Sequence, residues 1–210
     1  MGSKDKIIKR RVERASAILI DGVNLDRATK RLNRKVSIAK LIKSLSGGHK
    51  PDVIRYYTII PFEDDSRHHA YLDAVQAAGA EVIVKRLPPK GKNIQIDVYP
   101  EMSADMVAFA LGHTEFSELG SLRNLDREKD QSVSKEAALK TKEAQTKDTK
   151  KTITLVCPTR DISYSIAMAT EFGADTINAD FSETAGRDVL KSSAKWIDLS
   201  DSEIIWRDDS

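Results

Sequence analysis

The sequence predicts an α/β fold built on a parallel sheet, and three observations lead there. Strand-like and helix-like segments alternate from the first apolar run onward. The strand-like runs are short and lack an apolar/polar alternation, as in Ala17-Ile18-Leu19-Ile20 and Leu155-Val156-Cys157, which is the pattern of strands buried on both faces. The first run closes on Asp21-Gly22-Val23-Asn24, so an acid, a glycine and an amide fall at a strand's C-terminal end, where open parallel sheets bind ligands; the plainer alternative is that Asp21 and Asn24 only cap the next helix.

Composition sets the bounds. The chain has 210 residues, 40% of them hydrophobic, which suits one ordinary domain. No apolar run approaches the ~20 residues of a membrane span, so no membrane partner is expected. The N-terminus is basic but lacks the apolar core of a secretory signal. Cys157 is the only cysteine, so no internal disulfide is expected and a reducing cytoplasm is the expected location. The net charge of +2 is unevenly spread. Residues 1–16 form a basic segment, with Lys4, Lys6, Lys9, Arg10, Arg11 and Arg14 against Asp5 and Glu13. That potential suits a phosphate backbone; the plainer alternative is a solvated helix over 4–14.

The elements follow in order. The first strand is expected at about 17–20. Residues 24–45 have apolar positions at helical spacing, Leu25, Ala28 and Leu32, then Ile38, Leu41, Ile42 and Leu45, and predict one or two helices stopped by Gly47-Gly48. Their polar side carries Arg27, Lys30, Arg31, Arg34 and Lys35, either a solvated face or a basic wall beside the first strand's mouth. Val53 to Ile60 is β-branched and aromatic and predicts a second strand, Asp64 to Ala78 a helix, and Glu81 to Lys85 a third strand. After a Pro/Gly/Lys loop, a helix is expected over 98–112, with Pro100 tolerable in its first turn. Residues 115–151 change character: from Ser121 to Lys151 there is no aromatic residue, and charge is mixed, predicting a flexible charged insertion. The fourth strand is expected at 152–157, a helix after Asp161, a short fifth strand starting at Thr176-Ile177, a helix over 182–192 and an edge strand at 195–199. Residues 200–210 form an acidic tail in which Ile204, Ile205 and Trp206 offer a packing or partner contact.

Parallel packing gathers the strands' C-terminal ends on one rim. The residues expected there are Asp21 and Asn24, then Asp97, Glu101 and Asp105, then Thr159 and Asp161. Asp97, Glu101 and Asp105 are spaced by four and line one helical stripe. Three like charges in a row need a cation, either a divalent metal or the nearby Lys90 and Lys92. A carboxylate ring with few basic partners is a hard-cation site suited to Mg²⁺ or Mn²⁺. Such an ion would activate water against a phosphodiester, with Lys90, Lys92 and Arg160 on phosphates.

In this order the motifs resemble the NYN domain of the PIN-like nuclease superfamily, in its LabA-like branch. The resemblance rests on Ile20-Asp21-Gly22-Val23-Asn24, on Arg55-Tyr56-Tyr57-Thr58 and on the helix–glycine–strand unit from Leu72 to Val84. It also rests on Lys92 to Asp97, on Leu155 to Asp161, and on Leu190 followed by Ala194 to Leu199. It spans 17–112 and 152–199 of an expected domain at 17–199. It implies a three-layer α/β/α sandwich with a mostly parallel sheet, a carboxylate cluster binding Mg²⁺ or Mn²⁺, and hydrolysis of RNA. By matched position, it implies catalytic and metal-binding roles for Asp21, Asp97, Asp105 and Asp161, with Glu101 able to stand in for Asp105. Asn24, Lys90, Lys92, Thr159 and Arg160 are expected on the substrate, and a homodimer follows by analogy with other PIN-like domains. Thr159 stands where the family pattern has an aspartate, and Cys157-Pro158 where it has serine-glycine. A hydroxyl there supplies no charge, which keeps open a module that binds RNA or a protein partner without cutting.

Overall fold

Strand β1 (Arg14–Asp21) lies inside a six-stranded sheet. The computed structural model describes residues 13–63, 66–92, 94–116, 121 and 149–208. The other strands are β2 (Val53–Ile60), β3 (Glu81–Arg86), β4 (Lys150–Val156), β5 (Ala174–Asp180) and β6 (Lys195–Asp198). Their spatial order is β3-β2-β1-β4-β5-β6, and every neighbouring pair is parallel.

Side chains alternate along β1 between two cores, and this alternation makes three layers. Ile18 and Ile20 join the core under α1 (Gly22–Arg31), α2 (Ile38–Leu45) and α3 (Ser66–Ala77). Ala15, Ala17 and Leu19 join the core under α4 (Tyr99–Ala110), α5 (Ser163–Glu171) and α6 (Arg187–Ser192). The helical spacings read from sequence supply both cores: Leu25, Ala28, Leu41 and Leu72 on one face, Met102, Met106, Phe109 and Ile166 on the other.

Several boundaries differ from the expectation. The helix expected over 4–14 falls outside the described residues except at its end, where Arg14 already belongs to β1, opposite Lys150. The long helical stretch divides into α1 and α2, with Asn33 in the left-handed region (φ 49°) between them. β4 opens at Lys150, so the last residues assigned to the insertion are sheet. Residues 122–148 of that insertion lie outside the described residues, while Ser121 is buried and bridges Ile83. β5 is seven residues long, not a short strand, and its extra length carries Asn178 and Asp180 into the interior. The tail packs: Ile205 and Trp206 are buried, Trp206 stacks on Phe181 at 5.6 Å, and Ile204 is exposed.

Candidate active site

The chain runs from β1 toward β2 on one side and from β4 toward β5 on the other. The loops leaving β1 and β4 therefore diverge and open a crevice at their C-terminal ends, the switch point where open α/β sheets bind ligands. Register pairs Ile20 with Val156, so Asp21 and Cys157-Pro158-Thr159 emerge side by side at this mouth.

Asp21 is fully buried at the end of β1 and caps α1. Its Oδ1 accepts the Asn24 backbone N–H at 2.9 Å, and its Oδ2 accepts from Asn24 Nδ2 at 2.9 Å. The Asn24 Oδ1 in turn accepts from Arg27 Nη1 at 3.3 Å. A cap alone does not require burial. Here burial pushes the Asp21 carboxyl up to about 6 despite the N–H groups of Asn24 and Val23 and the charge of Arg27, all of which favour the anion. Gly22 is required beside it, because a Cβ there would collide with the buried Tyr56 ring.

The acidic stripe on α4 divides. Asp97 precedes the helix, and its Oδ1 accepts the Tyr99 backbone N–H at 3.1 Å. Glu101 pairs with Lys85 at 2.8 Å. Asp105 faces β2, where it accepts from the Tyr57 hydroxyl at 2.7 Å and pairs with the guanidinium of buried Arg55. Arg55 lies opposite Leu19, two residues before Asp21, so this pair sits below the rim. The cations that neutralise Glu101 and Asp105 are thus Lys85 and Arg55, not the expected Lys90 and Lys92.

Thr159 and Asp161 occupy the turn after β4. The Thr159 hydroxyl caps the short 3₁₀ turn Arg160–Ile162 and lies 3.4 Å from Asp161 Oδ2. Asp161 is exposed and loosely paired with Arg160 at 3.9 Å. Tyr99 stands at the mouth: its phenol lies close enough to Thr159, Asp21 and Asp161 to feel all three, and its pKa is raised by burial and by the fields of Asp21 and Asp161. Asp97 anchors that tyrosine's backbone, so Asp21, Asp97, Thr159 and Asp161 converge on one residue that the sequence reading left unassigned.

A cavity of about 270 Å³ adjoins Asn24 and is lined by Arg27, Arg31, Arg160, Cys157, Thr159 and Asp180, among others. The basic wall anticipated on α1 is realised in Arg27 and Arg31. Lys90 and Lys92 do not line this cavity; Lys90 lies in the loop after β3, 4.0 Å from Glu63. Asp180 is a buried acid that sequence reasoning missed. Its Oδ1 accepts the Phe181 N–H at 2.7 Å and the Thr184 hydroxyl at 3.3 Å, and burial raises its pKa. Cys157 itself adopts φ 50°, and such left-handed backbone in a non-glycine residue concentrates at functional sites.

Among the described residues, no three His, Cys, Asp or Glu side chains stand grouped to hold a metal ion. The donors do fit a sparser arrangement. Mg²⁺ typically takes one or two carboxylates and keeps several waters, and Asp21 is a desolvated carboxylate with no cation closer than Arg27.

Among the described residues no helix is long and apolar enough to cross a membrane. No curated protein matches the chain in sequence. A protein of unknown function from Vibrio parahaemolyticus is similar in structure, with a TM-score of 0.67 at 9% identity, covering 95% of this chain and 100% of that one. At that identity the likeness shows the fold alone. Residues 15–116, which carry Asp21, Asn24 and the α4 acids, match the family model of the NYN domain.

Proposed function

We propose that this protein is a Mg²⁺- or Mn²⁺-dependent endoribonuclease of the PIN-like, LabA-like type. The carrying observation is Asp21, a fully buried carboxylate at the sheet's switch point that forms no salt bridge among the described residues, feels only the field of Arg27, and adjoins a cavity lined by arginines. Asp21 would hold the ion directly, with Asp97 and Asp161 reaching it through water. The ion would supply an activated water and neutralise charge developing on the leaving oxygen.

The chain's own residues do the rest. Asn24 fixes both carboxylate oxygens of Asp21. Arg27, Arg31 and Arg160 bind the scissile phosphate or its neighbour, and Lys90 and Lys92 meet the strand further along. Thr159 and Tyr99 orient water at the mouth through their hydroxyls. Asp105 and Glu101 would have to leave Arg55 and Lys85 to serve as ligands. They act better as positioning residues that seat α4, and with it Tyr99, against the sheet. The reducing cytoplasm is the proposed location, and pairing into a homodimer follows from analogy with PIN-like domains.

A second reading is favoured by one observation: no three-donor group stands assembled among the described residues, and Thr159 adds no charge. In that reading the mouth binds RNA, or a protein partner, without cutting. Structured and unstructured RNA incubated with Mn²⁺, beside Asp21→Asn, separates the two. Cleavage lost in the variant supports the enzyme; equal trace cleavage in both overturns it in favour of the binder.

A further inference from the structure

A second cavity, of about 840 Å³, opens on the other side of α1's first turn, between α1 and α3. It lies within the 300–1,000 Å³ typical of small-molecule sites. Gly22, Val23 and Arg27 line it, and Arg27 also lines the small cavity beside Asn24, so both share the α1 N-terminus that Asp21 caps.

Its walls combine apolar, aromatic and cationic groups. Val36, Ile38, Leu87 and Ile96 supply apolar surface, and Leu87 is 42% exposed. Tyr71 stands edge-on to buried Tyr56 with the two hydroxyls 3.1 Å apart, which fixes its ring orientation. Arg207 lies over the Tyr71 ring at 5.9 Å. His68 also lines the cavity, and its Nε2 is shielded from water and has no hydrogen-bond partner among the described residues. An unpaired, water-shielded ring nitrogen is a standing cost that a ligand's polar edge can relieve.

Resting on the ribonuclease reading, we propose that this groove is a nucleobase subsite: it takes the base of the nucleotide flanking the phosphate held by Arg27. The ring would pack on Tyr71 and the apolar wall, turn its polar edge to His68, and lie under the cationic rim formed with Arg207. Base–aromatic packing beside a cationic track is how single-stranded RNA is gripped. The groove would therefore set a preference for one base beside the cut.

The test uses the full chain carrying Asp21→Asn, without metal, so that binding is read apart from cleavage. Adenosine, guanosine, cytidine and uridine 5′-monophosphates are titrated by NMR, with ribose 5-phosphate as the control. At least one nucleotide is expected to bind, about tenfold more tightly than ribose 5-phosphate. His68→Ala and Arg207→Glu are each expected to weaken it about tenfold at unchanged melting temperature, and Leu87→Asp, at the exposed rim, to do the same. Equal binding of nucleotides and ribose 5-phosphate overturns the subsite, as does nucleotide binding indifferent to all three substitutions. Nucleotide binding that follows this pattern in a protein that never cleaves RNA would keep the subsite and remove only the nuclease reading.

Discussion

Substituting Asp21 by asparagine should stabilise the protein at neutral pH, although it removes the residue on which the proposed chemistry depends. Burial raises the Asp21 carboxyl from 3.8 to about 6. At 1.36 kcal/mol per pH unit, the folded protein bears about 3 kcal/mol against the charged form. The folded state holds the proton more tightly than the unfolded chain. The stabilising contribution is therefore complete below pH 3.8 and lost as pH rises through about 6. Asparagine carries no such cost. Its Oδ1 can still accept the Asn24 N–H, but its Nδ2 would face the Asn24 amide nitrogen. Asn24 must flip and give up its 3.3 Å bond from Arg27. The bonds to the carboxylate are already netted in the shift to about 6, so the new cost is the flip of Asn24 and the loss of its bond from Arg27, which takes back roughly half the gain and leaves about 1–2 kcal/mol, or about 3–6 °C in melting temperature for a chain of this size.

Thermal denaturation of wild type and Asp21→Asn at pH 4.5 and 7.5 checks this. The variant is expected to melt higher at pH 7.5, with the difference shrinking at pH 4.5. Mn²⁺ at a hundredfold excess over its dissociation constant should add about 3 kcal/mol to the wild type and nothing to the variant. A variant that melts lower at pH 7.5, or a difference unchanged between the two pH values, would refute the reasoning that burial dominates at Asp21.

Three further predictions follow from the packing. Gly22→Ala should cost about 1–3 kcal/mol in chemical denaturation, because its new methyl meets the buried Tyr56 ring. Asp105→Ala should cost about 1.5–3 kcal/mol by removing the α4 partner of the Arg55 guanidinium, which keeps Glu81 at 2.9 Å, whereas Glu101→Gln, at a half-exposed pair, should cost under about 1 kcal/mol. If Asp105 positions α4 and is not a metal ligand, the folded fraction of that variant keeps its Mn²⁺ affinity in calorimetry. Trp206→Ala should cost about 3–5 kcal/mol in the same denaturation assay, since it removes a buried ring stacked on Phe181 and covered by Arg34 at 4.0 Å.

The sheet was legible because its signals are local. Apolar runs closed by glycine or proline mark the strands, and helical spacing marks the faces that cover them. Asp21 and Asn24 were legible for the same reason: the acid, the turn and the amide lie within four residues. Asp180 was not, because Ala174-Asp175-Thr176-Ile177-Asn178-Ala179-Asp180 mixes polar and apolar residues, and only pairing with β4 on one side and β6 on the other makes it an interior strand. Tyr99 was not legible either, since its role comes from Thr159, sixty residues away in sequence and adjacent only after β4 has docked beside β1.

The acids themselves show why counting charges along a sequence overstates a metal site. Asp97, Glu101 and Asp105 share a spacing, and from spacing alone they are equivalent. The sheet makes them unequal. Arg55 is a cation inside an otherwise apolar and aromatic strand, and a guanidinium placed there must find an anion or destabilise the fold. Asp105 from α4 and Glu81 from β3 together meet that demand, and Lys85 at the end of β3 meets Glu101. An acid already matched by a buried cation gains little by exchanging it for a divalent ion. Asp21, like Asp180, is a buried acid that the fold leaves with hydrogen bonds and, among the described residues, no salt bridge, so it has more to gain from an ion than Asp105 or Glu101. The sequence signature of such a site is therefore an acid at a strand's C-terminal end with no basic residue on the facing strands at its level. Asp21 meets that criterion, because register sets it opposite Tyr57 and not Arg55.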